Sequence, residues 1–136
     1  MRVVIPLAGF GTRLRPHTYT KPKPLVNVAG KPVLGHILDK LLGLDVEEMV
    51  FVTGYLGDQI EAYVRSNYHF PARFVEQKEL LGQAHAIWLA RNHMHGPVLI
   101  VFVDTIFETD LTALHQEEAD GVLYVKEVDD PRRFAV

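Results

Sequence analysis

Apolar residues along this chain follow two patterns, short unbroken runs and longer stretches in which they recur every three or four positions. The runs at Val3–Leu7, Met49–Thr53, Ala72–Glu76 and Val98–Val103 are short and rich in β-branched and aromatic residues, as buried strands are. Between them, Leu34, Ile37, Leu38, Leu41 and Leu42 stand at i, i+3, i+4, i+7 and i+8. That spacing predicts a helix with one face on a sheet, opened by Pro32 and stopped by Gly43. A second helix is expected to begin at Asp58, with Ile60, Tyr63 and Val64 turned inward. A third runs from about Gln83 to Met94 and is closed by Gly96-Pro97. Shorter elements complete the pattern: an extended segment at Pro24–Val28, a turn at Ala29-Gly30-Lys31, a helix at Leu111–Glu118 and a strand at Val122–Val125. Val98–Val103 has no polar residue in six, which marks it as the expected centre of the sheet.

Strands alternating with helices at this spacing predict an α/β fold: a three-layer, mostly parallel, Rossmann-like sheet with helices on both faces. The whole of 1–136 reads as one domain. Ligands of such sheets bind beyond the carboxyl ends of the strands. That rule selects the loop after Leu7, the segment Gln77–Gly82 and Asp104, each a polar exit from an apolar run.

The loop after the first strand carries the densest chemistry. Leu7 and Ala8 deliver Gly9 and Gly11, whose missing Cβ atoms let backbone N–H groups approach a phosphate and adopt positive φ, an anion nest to which Thr12 adds a hydroxyl. Arg13, Arg15, Lys21 and Lys23 place four cations within eleven residues. Pro16, Pro22 and Pro24 prevent a continuous helix there. Gly-x-Gly after a strand is also the sequence of an ordinary tight turn, and basic loops are commonly just solvated. A dinucleotide fingerprint would need glycine where Leu14 stands, and a Walker loop would need Gly-Lys-Ser/Thr, so neither is present.

Composition narrows the field rather than naming a function. The 136 residues are 48% hydrophobic and 23% charged, ordinary for a soluble globular protein, and a net charge of -3 argues against a nucleic-acid surface. The absence of cysteine excludes disulfides, thiolate catalysis and Cys-ligated metals, and fits a cytoplasmic location. Pro6 and Gly9 interrupt what could be taken for a signal peptide, and no run reaches membrane-spanning length.

One longer pattern is specific. Gly-x-Gly-Thr-Arg-Leu-x-Pro-x-Thr followed after three residues by Pro-Lys-x-Leu is met by Gly9, Gly11, Thr12, Arg13, Leu14, Pro16, Thr18, Pro22, Lys23 and Leu25. It resembles the sugar-phosphate nucleotidyltransferases, of the glucose-1-phosphate thymidylyltransferase kind. The resemblance implies a nucleotide-diphospho-sugar transferase fold and a reaction in which a nucleoside triphosphate, dTTP or UTP favoured, is joined to a sugar 1-phosphate with release of pyrophosphate. It implies Arg13 and Lys23 as catalytic cations. Leu7, Ala8, Gly9, Gly11 and Thr12 become the triphosphate cradle. Gln77 and Gly82 become base-recognition residues, and Asp104 a ligand of Mg²⁺. The family usually writes Gly-Asp where this chain has Val103-Asp104, and a side chain at Val103 would crowd the nucleotide. Asp129-Asp130-Pro131-Arg132-Arg133-Phe134-Ala135-Val136 resembles the family's sugar-contacting stretch, with Ala135 in place of a glycine.

The family's enzymes are longer, and their sugar-binding Glu-Lys pair and second metal aspartate have no counterpart before Val136. The expectation is therefore an N-terminal, nucleotide-binding part. The alternative is a noncatalytic nucleotide-binding regulatory or assembly subunit of the same fold; a homo-oligomer is left open. His85, His93 and His95 lack companion carboxylates and read as surface residues rather than a metal site. Trp88, Tyr55, Tyr63 and Tyr68 read as core or helix packing.

Overall fold

The computed structural model describes residues 1–130. The expected sugar-contacting stretch, from Pro131 through Ala135 to Val136, lies outside them. Strand β1 (Arg2–Pro6) is followed by a small hairpin, β2 (Asn27–Val28) and β3 (Lys31–Pro32), and by helix α1 (Val33–Leu41). Then come β4 (Glu48–Thr53), α2 (Gly57–Asn67), β5 (Ala72–Glu76), α3 (Gln83–Leu89) and β6 (Val98–Ile100). The sheet runs in the order β5-β4-β1-β6 with every pairing parallel. Parallel strands need crossovers, and the helices supply them.

Strand periodicity divides the core. Val3, Ile5, Met49 and Phe51 turn to one face and pack with Leu34, Ile37, Leu38 and Leu41 of α1 and Ile60 and Val64 of α2. Val4, Val50 and Val52 turn to the other face, against Ala86 and Ala90. This is the three-layer arrangement the sequence predicts. The small alanines let α3 lie close to the sheet, whereas the first face is filled by leucines and isoleucines, each worth about 1.5–3 kcal/mol when fully buried. Phe51 stacks on Phe74 at 5.1 Å.

Several expectations are corrected. The apolar run 98–103 lies at an edge of the sheet, because β1 takes the centre between β4 and β6. Only Val98–Ile100 are strand, although Val101 N–H still donates to the Val4 carbonyl at 3.0 Å. Ile100 and Phe102 are exposed on the open side, so the run is buried on alternate residues only. Residues 122–125 form no strand, and Leu123 and Val125 stand exposed. A strand needs a hydrogen-bonded partner as well as a pattern. The helix expected over 83–94 stops at Leu89 and tightens into a 3₁₀ turn at Arg91–His93, and 111–116 is 3₁₀ rather than α. Leu42, expected on the buried face of α1, lies one residue past the helix and is exposed. Trp88 is 54% exposed, with the Arg91 guanidinium 3.7 Å above its ring, so it is not core.

Candidate active site

All three predicted exits open on one cleft at the carboxyl ends of the strands. Its walls come from Leu7–Gly9 after β1, Lys23, Gln77 and Gly82 after β5, and Asp104 after β6.

The first strand continues one residue beyond its formal end, since Leu7 N–H donates to the Val52 carbonyl at 2.7 Å. The ladder then stops. Among the described residues none accepts a hydrogen bond from the backbone N–H of Ala8, Gly9, Phe10 or Gly11. Four successive donors left without protein partners make a ready anion site. Gly11 sits at φ +62°, and a Cβ there would lie 2.9 Å from the Lys23 Cβ, so this position needs glycine twice over. Gly9 does not share that conformation: its φ is outside the left-handed region and a Cβ would meet nothing, which corrects the expectation of positive φ at both glycines. Gly54 supports the loop from below, because a Cβ there would lie 2.9 Å from the Ala8 carbonyl oxygen.

The loop folds back on itself through Thr18, which is 2% exposed and whose hydroxyl donates to the Gly11 carbonyl at 2.9 Å. Two residues that the sequence reading did not single out for the site tie its outer arm. Tyr55 donates its hydroxyl to the Tyr19 carbonyl at 2.6 Å, and Gln59 its amide to the Thr20 carbonyl at 3.0 Å. No local motif marks them, since both contacts are to backbone more than thirty residues away. The loop so braced turns Lys23 inward, to 3.1 Å from Asp104 Oδ2. The two residues are 81 apart in sequence, and the fold joins the expected cation and the expected metal ligand. Thr12 and Arg13 lie on an exposed 3₁₀ turn, Thr12–Leu14, and do not line the cleft. Val103 is buried with the core cluster of Leu7, Leu25 and Val101 while forming part of the cleft wall.

Across the cleft, Gln77 is 4% exposed. Its backbone N–H extends the ladder to the Thr53 carbonyl at 2.7 Å. Its amide nitrogen meets the Gly82 carbonyl at 3.2 Å and His85 Nδ1 at 3.0 Å. Gly82, at φ +93°, precedes α3 and bends the chain back toward Gln77. Leu80 and Phe102 add apolar walls that the sequence reading did not assign to the site.

Asp104 is half-exposed and uses one carboxylate oxygen on Lys23. Mg²⁺ is commonly held by one or two carboxylates with phosphate oxygens and water completing its shell, and a single hard carboxylate across the cleft from Ala8 and Gly9 fits that demand. Among the described residues no helix is long and apolar enough to cross a membrane.

The family described as Nucleotidyl transferase matches residues 2–136. The chain is 39% identical over 137 residues to the bifunctional protein GlmU of Methanococcus vannielii, covering all of this chain and 32% of that protein. It is 37% identical over 134 residues to the UTP–glucose-1-phosphate uridylyltransferase AglF of Haloferax volcanii, covering 95% of this chain and 55% of that one. Its fold is also that of a UDP-glucose pyrophosphorylase solved with UDP-glucose, with a TM-score of 0.74 at 24% identity over 85% of this chain and 53% of the other. The chain thus spans about a third to about half the length of these relatives. With the signature loop, the parallel sheet and the sequence match in agreement, the chain belongs to the nucleotidyl transferase family.

Proposed function

We propose that this chain is the nucleotide-binding part of an enzyme that transfers a nucleotidyl group from a nucleoside triphosphate, dTTP or UTP, to a sugar 1-phosphate. The observation that carries this reading is that Ala8 and Gly9, which open a run of backbone N–H groups with no partner among the described residues, line one cleft with the Lys23–Asp104 pair.

The chemistry asks little covalent work of the protein. A phosphate oxygen of the sugar 1-phosphate attacks the α-phosphorus in line; a new P–O bond forms as the bond to the bridging oxygen breaks, and pyrophosphate leaves with the electron pair. Catalysis is then positioning and neutralisation of charge. The Ala8–Gly11 N–H groups receive the triphosphate oxygens. Lys23 draws the attacking and attacked phosphates together, and Arg13, carried just outside the cleft, neutralises pyrophosphate as it departs. Asp104 would hold Mg²⁺, which supplies further screening of phosphate charge. A half-exposed ion pair such as Lys23–Asp104 is worth only about 0–1 kcal/mol, whereas charge-assisted bonds to phosphate are roughly twice as strong as neutral ones. The arriving triphosphate therefore draws Lys23 from the pair at little cost and gives it a stronger partner, and the freed Asp104 carboxylate would be available to the cation.

The test is pyrophosphate release by the full-length protein with each of the four common triphosphates and glucose 1-phosphate. Turnover with UTP or dTTP that Asp104→Asn abolishes supports the reading. Binding of triphosphate without turnover would identify the noncatalytic subunit instead. A ligand at about 100 times its Kd raises stability by about 2.7 kcal/mol, so a flat melting response to all four triphosphates would refute the nucleotide site itself.

A further inference from the structure

His85 is one turn into α3, next to Ala86, which is buried against the sheet. It stacks on Trp88, ring centroids 6.2 Å apart and planes at 20°, and Trp88 is in turn covered by Arg91. That stack leaves Nδ1 facing the Gln77 amide.

The amide nitrogen of Gln77 carries two protons and both are engaged. One goes to the Gly82 carbonyl and the other to His85 Nδ1. The Gly82 oxygen accepts only, so turning the amide over would set two oxygens against each other, and the network itself fixes the orientation. Among the described residues no fully buried side-chain nitrogen or oxygen lacks a partner. The Gln77 carbonyl oxygen, which has no hydrogen bond among the described residues, therefore keeps an opening, and Gln77 lines the cleft.

We propose that His85 is a positioning residue: by accepting the second amide proton it locks Gln77 with its carbonyl toward the cleft, and so selects bases that present a ring N–H. This rests on the nucleotide reading of the cleft. Uracil and thymine donate from N3 and guanine from N1. Cytosine presents a bare N3 and adenine a bare N1, each of which would set a lone pair against the Gln77 oxygen. Accepting at Nδ1 requires the neutral imidazole with its proton on Nε2. Without that acceptor the amide has a free N–H to offer and cytosine finds a partner.

Trp88 is the only tryptophan in the chain, so its fluorescence reports binding beside His85. UTP and CTP are titrated, with Mg²⁺, against the wild-type protein, His85→Phe, which keeps a ring for the stack and removes the acceptor, and His85→Asn, whose carbonyl replaces the Nδ1 acceptor. Wild type is expected to bind UTP at least about tenfold more tightly than CTP, the loss expected when a buried polar group is left without its partner. His85→Phe should bring the two affinities within about threefold, and His85→Asn should restore the preference. A preference unchanged in His85→Phe overturns the role of His85 while leaving the nucleotide site standing. No response of wild type to any triphosphate overturns the nucleotide reading and this proposal with it. If His85→Phe fails to fold, His85→Leu is held to the same criterion.

Discussion

The Lys31–Asp39 and Lys23–Asp104 ion pairs are built differently. Asp39 on α1 has both carboxylate oxygens engaged: Lys31 binds Oδ2, the Tyr68 hydroxyl donates to Oδ1 at 2.9 Å, and the same hydroxyl reaches the Gly35 carbonyl at 3.2 Å. Asp104 in the cleft meets Lys23 through Oδ2 alone. The first pair ties a helix to the end of its neighbour, with a protein partner on each carboxylate oxygen. The second keeps a carboxylate oxygen in reserve beside unbonded N–H groups. The difference teaches that a charge pair is read by what its members still lack, because both pairs look alike as sequence.

The strongest way to break this contrast is to remove members of the cleft pair. Lys23→Ala should cost about 10²-fold or more in turnover by the full-length protein, the scale on which loss of one preorganised stabilising group is felt. Asp104→Asn should also abolish measurable turnover. Neither should lower stability by more than about 1 kcal/mol, since the pair is half-exposed. Steady-state kinetics set beside denaturant unfolding check both halves of the statement. A large loss of stability with turnover kept would make the cleft pair structural, like the other.

Next in size are the residues that shape the loop holding Lys23. Gly11→Ala forces a side chain into left-handed backbone, at about 1–2 kcal/mol, and drives its Cβ toward Lys23 and Thr18. It should lower both melting temperature and triphosphate affinity. Thr18→Val deletes only the hydroxyl bond to the Gly11 carbonyl and should cost about 0.5–1.5 kcal/mol by denaturant unfolding. Gly9→Ala, with open space at its Cβ and no left-handed backbone, should leave stability nearly unchanged and so separate the two glycines.

That separation also marks how far the sequence could be read. Elements were legible wherever a period coincided with a partner: Leu34, Ile37, Leu38 and Leu41 are buried where their spacing placed them, and alternation along β1 and β4 divides the two core faces. The position of 98–103 in the sheet was not legible, because an unbroken apolar run reports coverage of its faces and says nothing of how many strands flank it. Residues 122–125 have the pattern of a strand and no strand beside them. In the site, the motif singled out Lys23, and Gln77 and Asp104 stood out as polar exits from apolar runs, and the three line one cleft; the contacts of Tyr55, Gln59 and His85 arise from chain segments brought together by folding and have no local spacing to betray them.

The smallest effects lie at the Lys31–Asp39 pair, where pH separates its parts. The Lys31 ammonium and then the Tyr68 hydroxyl hold the Asp39 carboxyl below its ordinary value of 3.8. A carboxyl depressed on folding contributes stability above its unfolded pKa and loses it as pH falls through the lower folded one. Asp39→Asn should thus be less stable than wild type by under about 1 kcal/mol at neutral pH, and the gap should close only below about pH 3.8. Burial and the bond to Asp39 raise the Tyr68 hydroxyl well above its usual 10.0. The folded chain therefore keeps a proton that the unfolded chain gives up, and stability falls as pH rises past about 10. Tyr68→Phe should flatten that alkaline limb without changing triphosphate affinity. A matching loss of nucleotide binding in either variant would mean that the two pairs are coupled through α1, and that engagement of both carboxylate oxygens does not by itself distinguish structural charge from chemical charge.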